Sequence, residues 1–394
     1  MVTNVLLIVT SMATAQMPAW KDVVDALEAK HADEAKVQRL VAAPAITDAR
    51  VGIQELKPTH VAFVMRPEEV DFKTTVALKR LMRAIDDDPY DDAVWGIVTG
   101  PTAADAKRIA ASREPQTINS VLATTGVADD CVPGPIYCLS DANPPGCWKV
   151  KGADGQVAHH STTNDMSWIF AEGWNAIDPD LIITSSHASQ RNLEMPFSRG
   201  NIIPLNGTFV TCPDLRLIDY RTGQAVPVPR CVPARGALQP LRSPSREKVW
   251  IAAGNCLIAD NLRPGETMVM TALGFGKVNQ FVGYISTTWF GEIGWGTLGN
   301  FNKGMSLVAA YHAANRKLID ELEETVTNAK DFNPEFVSAK DYDRLMVEAR
   351  QFKFQAKKPI ANPQEFLGRL WDRDATVFYG DPMVEVYLGE KHEQ

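Results

Sequence analysis

Leu181-Ile182-Ile183-Thr184-Ser185-Ser186-His187 and Val249-Trp250-Ile251-Ala252-Ala253-Gly254-Asn255-Cys256 are two short apolar runs, each ending in a reactive side chain. Runs of this length, bounded by turn formers, read as strands buried on both faces of a parallel sheet. In open α/β sheets, ligands and chemistry collect at the carboxyl ends of the strands. A His and a Cys delivered there can meet although they are distant in sequence. The two runs therefore point to a cysteine nucleophile, Cys256, with His187 as its partner.

The N-terminal part of the chain agrees with such a sheet. Val5 to Val9 reads as a first core strand, about Trp20 to Leu40 as a helix and Val61 to Met65 as a second strand, a β-α-β start. Thr10-Ser11-Met12-Ala13-Thr14 follows the first strand with no glycine where a pyrophosphate would need close backbone approach, so a dinucleotide site is not expected. Val5 to Val9 followed by Ala13-Thr14-Ala15 imitates a signal peptide, but no positive residue precedes the apolar run. A cytoplasmic protein is the expectation, with secretion as the alternative. Six cysteines are dilute for 394 residues, and reduced thiols are the simpler assumption.

Hydrophobic content of 45% and charged content of 22% suit one large core or two modest ones. The formal net charge of -8 argues against a nucleic-acid partner, which would need clustered Lys and Arg. No apolar run approaches the roughly 20 residues of a membrane-spanning helix, so no membrane partner is expected.

Further along, Lys73 to Ile85 reads as a helix, Asp86 to Asp92 as an acidic turn and Ala93 to Val98 as a strand. Residues 113–165 read as a surface insertion. Its Cys131, Cys138 and Cys147 stand too far apart for the paired spacing of a zinc site, and no metal site is assigned. A helix at Met166 to Ala176 leads into the His187 strand. A second insertion, 206–248, holds a hairpin at Leu215 to Val228 and six arginines (Arg216, Arg221, Arg230, Arg235, Arg242, Arg246). After Cys256, strands are expected at Thr267 to Ala272 and Gln280 to Thr287, then a loop at Trp289 to Asn300 and a helix from about Leu307 to Asn328. Gly274-Phe275-Gly276-Lys277 lacks the spacing of a phosphate loop, and no Gly-x-Ser-x-Gly elbow of a serine hydrolase occurs.

A strand ending in His followed by a strand ending in Cys resembles the clan CD cysteine peptidases of the caspase and gingipain type, and the gingipain-like branch more closely. Three further stretches carry the resemblance. They are Asp88-Pro89-Tyr90-Asp91-Asp92-Ala93-Val94-Trp95-Gly96, Val282-Gly283-Tyr284-Ile285-Ser286-Thr287-Thr288-Trp289 and Thr376-Val377-Phe378-Tyr379-Gly380-Asp381-Pro382. The resemblance implies a caspase-like three-layer α/β sandwich around a mainly parallel sheet, with an N-terminal β-α subdomain at 1–112 and a catalytic subdomain at 113–394. It implies a cysteine endopeptidase that cleaves a protein or peptide substrate through an acyl-enzyme, with no cofactor required. Calcium is an option only at the acidic turn.

By the same resemblance, Asp92 would orient the imidazole, and the N–H groups of Ala188 and Cys256 would face the developing oxyanion. Trp289, Phe290 and Glu292 would line the pocket for the side chain before the cleaved bond. An exposed arginine of the second insertion would be a self-cleavage site. Two departures stand out: Ala188 replaces the usual glycine after the histidine, and Asn255 replaces the usual Ala or Gln before the nucleophile. They open the alternative of a catalytically inactive homologue acting as a binding or scaffold protein.

Overall fold

A strand that is apolar at every position must be covered on both faces, and the first element meets that demand: β1 (Val5–Ser11) is buried from Leu6 onward. The structure, a computed structural model, describes residues 4–140, 142–162, 165–212, 238–263, 265–334 and 342–389. β1 opens a wound β/α segment made of α1 (Met12–Ala15), α2 (Pro18–His31), β2 (Lys36–Ala42), α3 (Arg50–Leu56), β3 (His60–Val64), α4 (Phe72–Met82), β4 (Val94–Val98) and α5 (Ala103–Ala111). The helix expected to reach Leu40 stops at His31, and Lys36 to Ala42 pair in parallel with β1 as an edge strand. Half-exposed, that strand keeps Lys36, Gln38 and Arg39 among its apolar residues, a mixture that continues a helical pattern in sequence.

The chain continues through β5 (Thr117–Ile118), β6 (Val121–Ala123), β7 (Ile136–Cys138), β8 (Cys147–Lys151), β9 (Val157–Ser161), α6 (Ser167–Ile177) and β10 (Leu181–Thr184). Residues 113–165 are thus not a surface insertion, because β6 to β9 complete one end of the main sheet. Strands of three to five residues, separated by glycine-containing turns, are too short to show a period. A small antiparallel sheet follows, with β11 (Ala188–Ser189), β12 (Asn192–Glu194), β13 (Asn201–Leu205) and β14 (Thr208–Cys212), and then β15 (Lys248–Ala252). Where Thr267 to Ala272 was expected as a strand there is α7 (Met268–Leu273), started by the Thr267 hydroxyl accepting from the Met270 N–H. β16 (Val278–Tyr284), α8 (Glu292–Phe301), α9 (Leu307–Thr325), α10 (Tyr342–Gln351), α11 (Pro363–Asp372), β17 (Thr376–Tyr379) and β18 (Tyr387–Leu388) close the chain.

The main sheet has twelve strands in the order β2-β1-β3-β4-β17-β16-β15-β10-β6-β7-β8-β9. The strands from β2 to β17 run parallel to one another, as do those from β16 to β7, and the two blocks meet antiparallel at β16 and β17. The carboxyl ends of β10, β15 and β16 therefore share a sheet edge with the amino ends of β4 and β17. The sheet also runs unbroken across residue 112, the expected subdomain boundary.

Side-chain alternation distributes the core between the two faces of the sheet. Leu181, Ile183, Val249 and Ile251 pack with Leu298, Tyr311, Leu318 and Trp371 of α8, α9 and α11. Ile182, Trp250 and Ala252 pack with Phe170, Trp174 and Met268 of α6 and α7. The result is the three-layer α/β sandwich around a mainly parallel sheet that the sequence led us to expect. No helix of the described residues is long and apolar enough to cross a membrane.

Cys212, at the end of β14, is disulfide-bonded, which corrects the expectation of reduced thiols; Cys131, Cys138, Cys147 and Cys256 are free. Spacing in the sequence did not reveal which cysteines would meet. The hairpin expected at Leu215 to Val228, Cys231, and four of the six arginines lie outside the described residues. Arg242 and Arg246 are anchored, the first through its backbone to Trp174 and Asn175, the second by donating to the Ile177 and Asp178 carbonyls.

The segment that follows β17 is tied back to the end of α2 by charge. Asp381 is buried, 2.5 Å from Lys30 Nζ and 2.6 Å from His31 Nε2. Lys30 and His31 hold its carboxyl well below the ordinary range in spite of burial. A depressed carboxyl contributes stability above the unfolded Asp pKa of about 3.9 and loses it as pH falls below that value. Asp381→Asn should lower unfolding free energy at pH 7 by about 3 kcal/mol and flatten the acid limb of stability below about pH 4. Urea melts across that range test this; unchanged midpoints would refute the tie.

Candidate functional site

β10 and β15 are neighbours in register, Thr184 opposite Ala252, and the ladder extends one step further through Ala253 N–H to Thr184 O, 2.8 Å. The chain then leaves each strand on the same sheet edge, carrying His187 and Cys256. Between them lies the buried amide of Asn255, whose Oδ1 accepts from Thr184 Oγ1 at 2.5 Å and whose Nδ2 donates to Ser186 O at 2.6 Å. Trp250 Nε1 donates to the same Thr184 hydroxyl at 2.9 Å, and Ser186 Oγ donates to Glu194 O at 2.5 Å. Asn255 therefore does not obstruct the turn. It joins the residue before the cysteine to the residue before the histidine.

His187 is exposed, and its carbonyl accepts from the Glu194 N–H at 2.9 Å. Ala188, buried, begins the edge strand of the small sheet and lies opposite Leu193. The bond from Glu194 to His187 makes Ala188 and Leu193 a non-hydrogen-bonded pair, so the Ala188 N–H points away from β12.

Cys256 is half-buried. Burial pushes its thiol above the ordinary range and the Asp372 carboxyl adds to this, while the backbone amides of Thr288 and of Cys256 itself act in the opposite direction. The resting nucleophile candidate is thus a neutral thiol. The next residue, Leu257, adopts a left-handed φ of 60°, and its N–H donates to Ser286 O at 2.9 Å, which turns the chain sharply behind the cysteine.

Trp289 and Phe290 stand beside this turn as exposed aromatics, ring centroids 6.2 Å apart. Glu292 begins α8, where a loop was expected, and pairs with Arg369 at 3.0 Å. Sequence reasoning missed Trp295. It is 40% exposed and lies over Gly254 and Gly291, and with Glu292, Lys303, Lys317, Glu321 and Arg369 it lines a cleft of about 490 Å³. The start of α8 presses so closely on the cysteine segment that a Cβ at Gly294 would lie 2.3 Å from Ala253 O. Only glycine fits there.

Asp372, also missed, accepts from the N–H groups of Trp289 at 2.8 Å and Phe290 at 3.1 Å and from the Thr288 hydroxyl. Its burial pushes the carboxyl up to about 6 against those donors. In sequence it closes an amphipathic helix within Trp371-Asp372-Arg373-Asp374, a run that reads as a solvated helix end. All four residues are buried.

Asp92 is largely exposed in the acidic turn, and partial desolvation together with Asp86 and Asp88 raises its carboxyl to about 6. It precedes β4, which lies four places from β10 in the sheet order, about 19 Å across the sheet. The neighbouring Asp91 is the buried carboxylate, accepting from Trp95 Nε1 at 3.1 Å and lying 3.6 Å from His312 Nδ1. Among the described residues no three His, Cys, Asp or Glu side chains gather to hold a metal ion.

Removing the Asn255 amide would leave Thr184 Oγ1 and Ser186 O short of a buried partner. Asn255→Ala should therefore lower stability by about 2 kcal/mol. Gly294→Ala should cost about 1–3 kcal/mol by overpacking. Denaturant titration checks both, and midpoints within error of the parent would contradict the packing described.

No protein-family model matches this sequence, and no curated protein matches it significantly. Among solved structures the chain is similar to one described as "Structure of Protease", with 9% identity and a TM-score of 0.51, over 98% of this chain and 79% of that one. At that identity the likeness shows the fold alone.

Proposed function

We propose that the protein is a cysteine endopeptidase of the clan CD type, with Cys256 as nucleophile and His187 as general base and acid. The observation that carries this reading is the pair of adjacent parallel strands whose carboxyl ends deliver His187 and Cys256 on one edge, with Asn255 bonded across the seam. The similarity to a structure described as a protease supports it.

A neutral thiol suits a general-base mechanism. His187 takes the proton as Sγ attacks the scissile carbonyl, then returns it to the leaving amine, and water later hydrolyses the thioester. The N–H groups of Ala188 and Cys256 would serve as the oxyanion donors. Trp289, Phe290 and Glu292 would receive the substrate side chain. The disulfide at Cys212 supports an oxidising compartment over the cytoplasm.

The second reading, a non-catalytic homologue that binds partners, is favoured by the same raised thiol, which leaves little thiolate at neutral pH. Cleavage of a mixed peptide library by wild type, Cys256→Ala and His187→Ala, with and without calcium, separates the two. The expected result is cleavage by wild type, loss to background in Cys256→Ala and a fall of about 10²–10⁴-fold in His187→Ala. Silence of all three proteins under every condition would favour the binding reading.

A further inference from the structure

We propose that Asp372 is the positioning residue of the aromatic segment Thr288–Phe290, so that α11 sets where Trp289 and Phe290 meet a substrate beside Cys256. The proposal deepens the peptidase reading and, for its substrate consequence, rests on it. Three residues along α11 hold the segment. Gly368 lies beneath it, where a Cβ would come 2.3 Å from Trp289 Cδ1 and 2.8 Å from Phe290 Cε2. Trp371 Nε1 donates to Thr287 O. Asp372 gathers both N–H groups and the Thr288 hydroxyl, each carboxylate oxygen taking one amide.

The Thr288 hydroxyl in turn accepts from the Gly291 N–H at 2.8 Å, and the Thr288 backbone acts directly on the Cys256 thiol. One carboxylate thus reaches both the exposed rings and the nucleophile. Its acceptors are filled by loop donors, and no ion pair forms at Asp372 among the described residues. A buried carboxylate without a cation is a costly choice for mere packing. It suits a segment in which two successive amides must be held by one group. An amide side chain cannot replace it, since one of its two ends donates where both must accept.

The test compares wild type with Asp372→Asn and with Trp371→Phe, which removes one anchor and keeps an aromatic ring in the core. Two readouts are taken: amide hydrogen exchange over 287–291, and kcat and KM on the best library peptide. Exchange at Trp289 and Phe290 should quicken at least about tenfold in Asp372→Asn. KM should rise at least about tenfold, with a smaller change in kcat. Trp371→Phe should shift both readouts in the same direction by less. Unchanged exchange and unchanged KM in Asp372→Asn would overturn the proposal, as would a loss confined to kcat. If the wild type cleaves nothing, the peptidase reading has failed, and the exchange comparison still decides whether Asp372 positions the segment.

Discussion

Parallel strands present their ends to solvent as loose, separate chains, and the proposed dyad, built from two such ends, needs something to hold them together. Here the Asn255 amide does so. Its oxygen meets the last residue of β10 and its nitrogen the extension of that strand, and the Thr184 hydroxyl it touches is anchored below by Trp250. Largely shielded from water at Thr184, Trp250 and Asn255, such a network is stronger than its members would be alone, and each buried member left unpaired would be correspondingly destabilising. Asn255, which departs from the pattern of the resembled family, is thus the residue that joins the two strand ends carrying His187 and Cys256.

The same edge receives elements from far along the chain because the sheet is made of two opposed parallel blocks. Where β17 runs against β16, the helix preceding β17 is brought alongside the loop that follows β16. That is how Asp372 comes to lie under Trp289 and Phe290, and how the start of α8 comes to press on Ala253. The N-terminal segment is joined to the rest through β4 with β17, through the charge cluster of Asp381 with Lys30 and His31, and through Lys79, Arg80, Arg83 and Arg108, which reach Asn315, Thr376, Asp374, Glu247 and Asn279.

Much of this was legible in the residues. The runs at Leu181 and Val249 are continuous and apolar because both strands are covered on both faces, and that is the clearest strand signal a sequence offers. β2 was not legible, because an edge strand keeps polar residues and resembles the end of the helix before it. Nor were β6 to β9, too short for a period. α7 was misread because Met268-Val269-Met270-Thr271-Ala272-Leu273 is buried all round, which erases the helical stripe. Asp372 and Trp295 could not be found from pattern at all, since their roles come from contacts made across the fold by residues with ordinary local surroundings.

The central claim is that Cys256 and His187 act as one chemical unit. Alkylation of Cys256 by iodoacetamide as a function of pH, in wild type and in His187→Ala, tests it most directly. In wild type the account predicts a His187-dependent limb that rises at lower pH than the main rise of the thiol, which lies above its ordinary range. In His187→Ala only the later rise should remain. Superimposable profiles for the two proteins would contradict it.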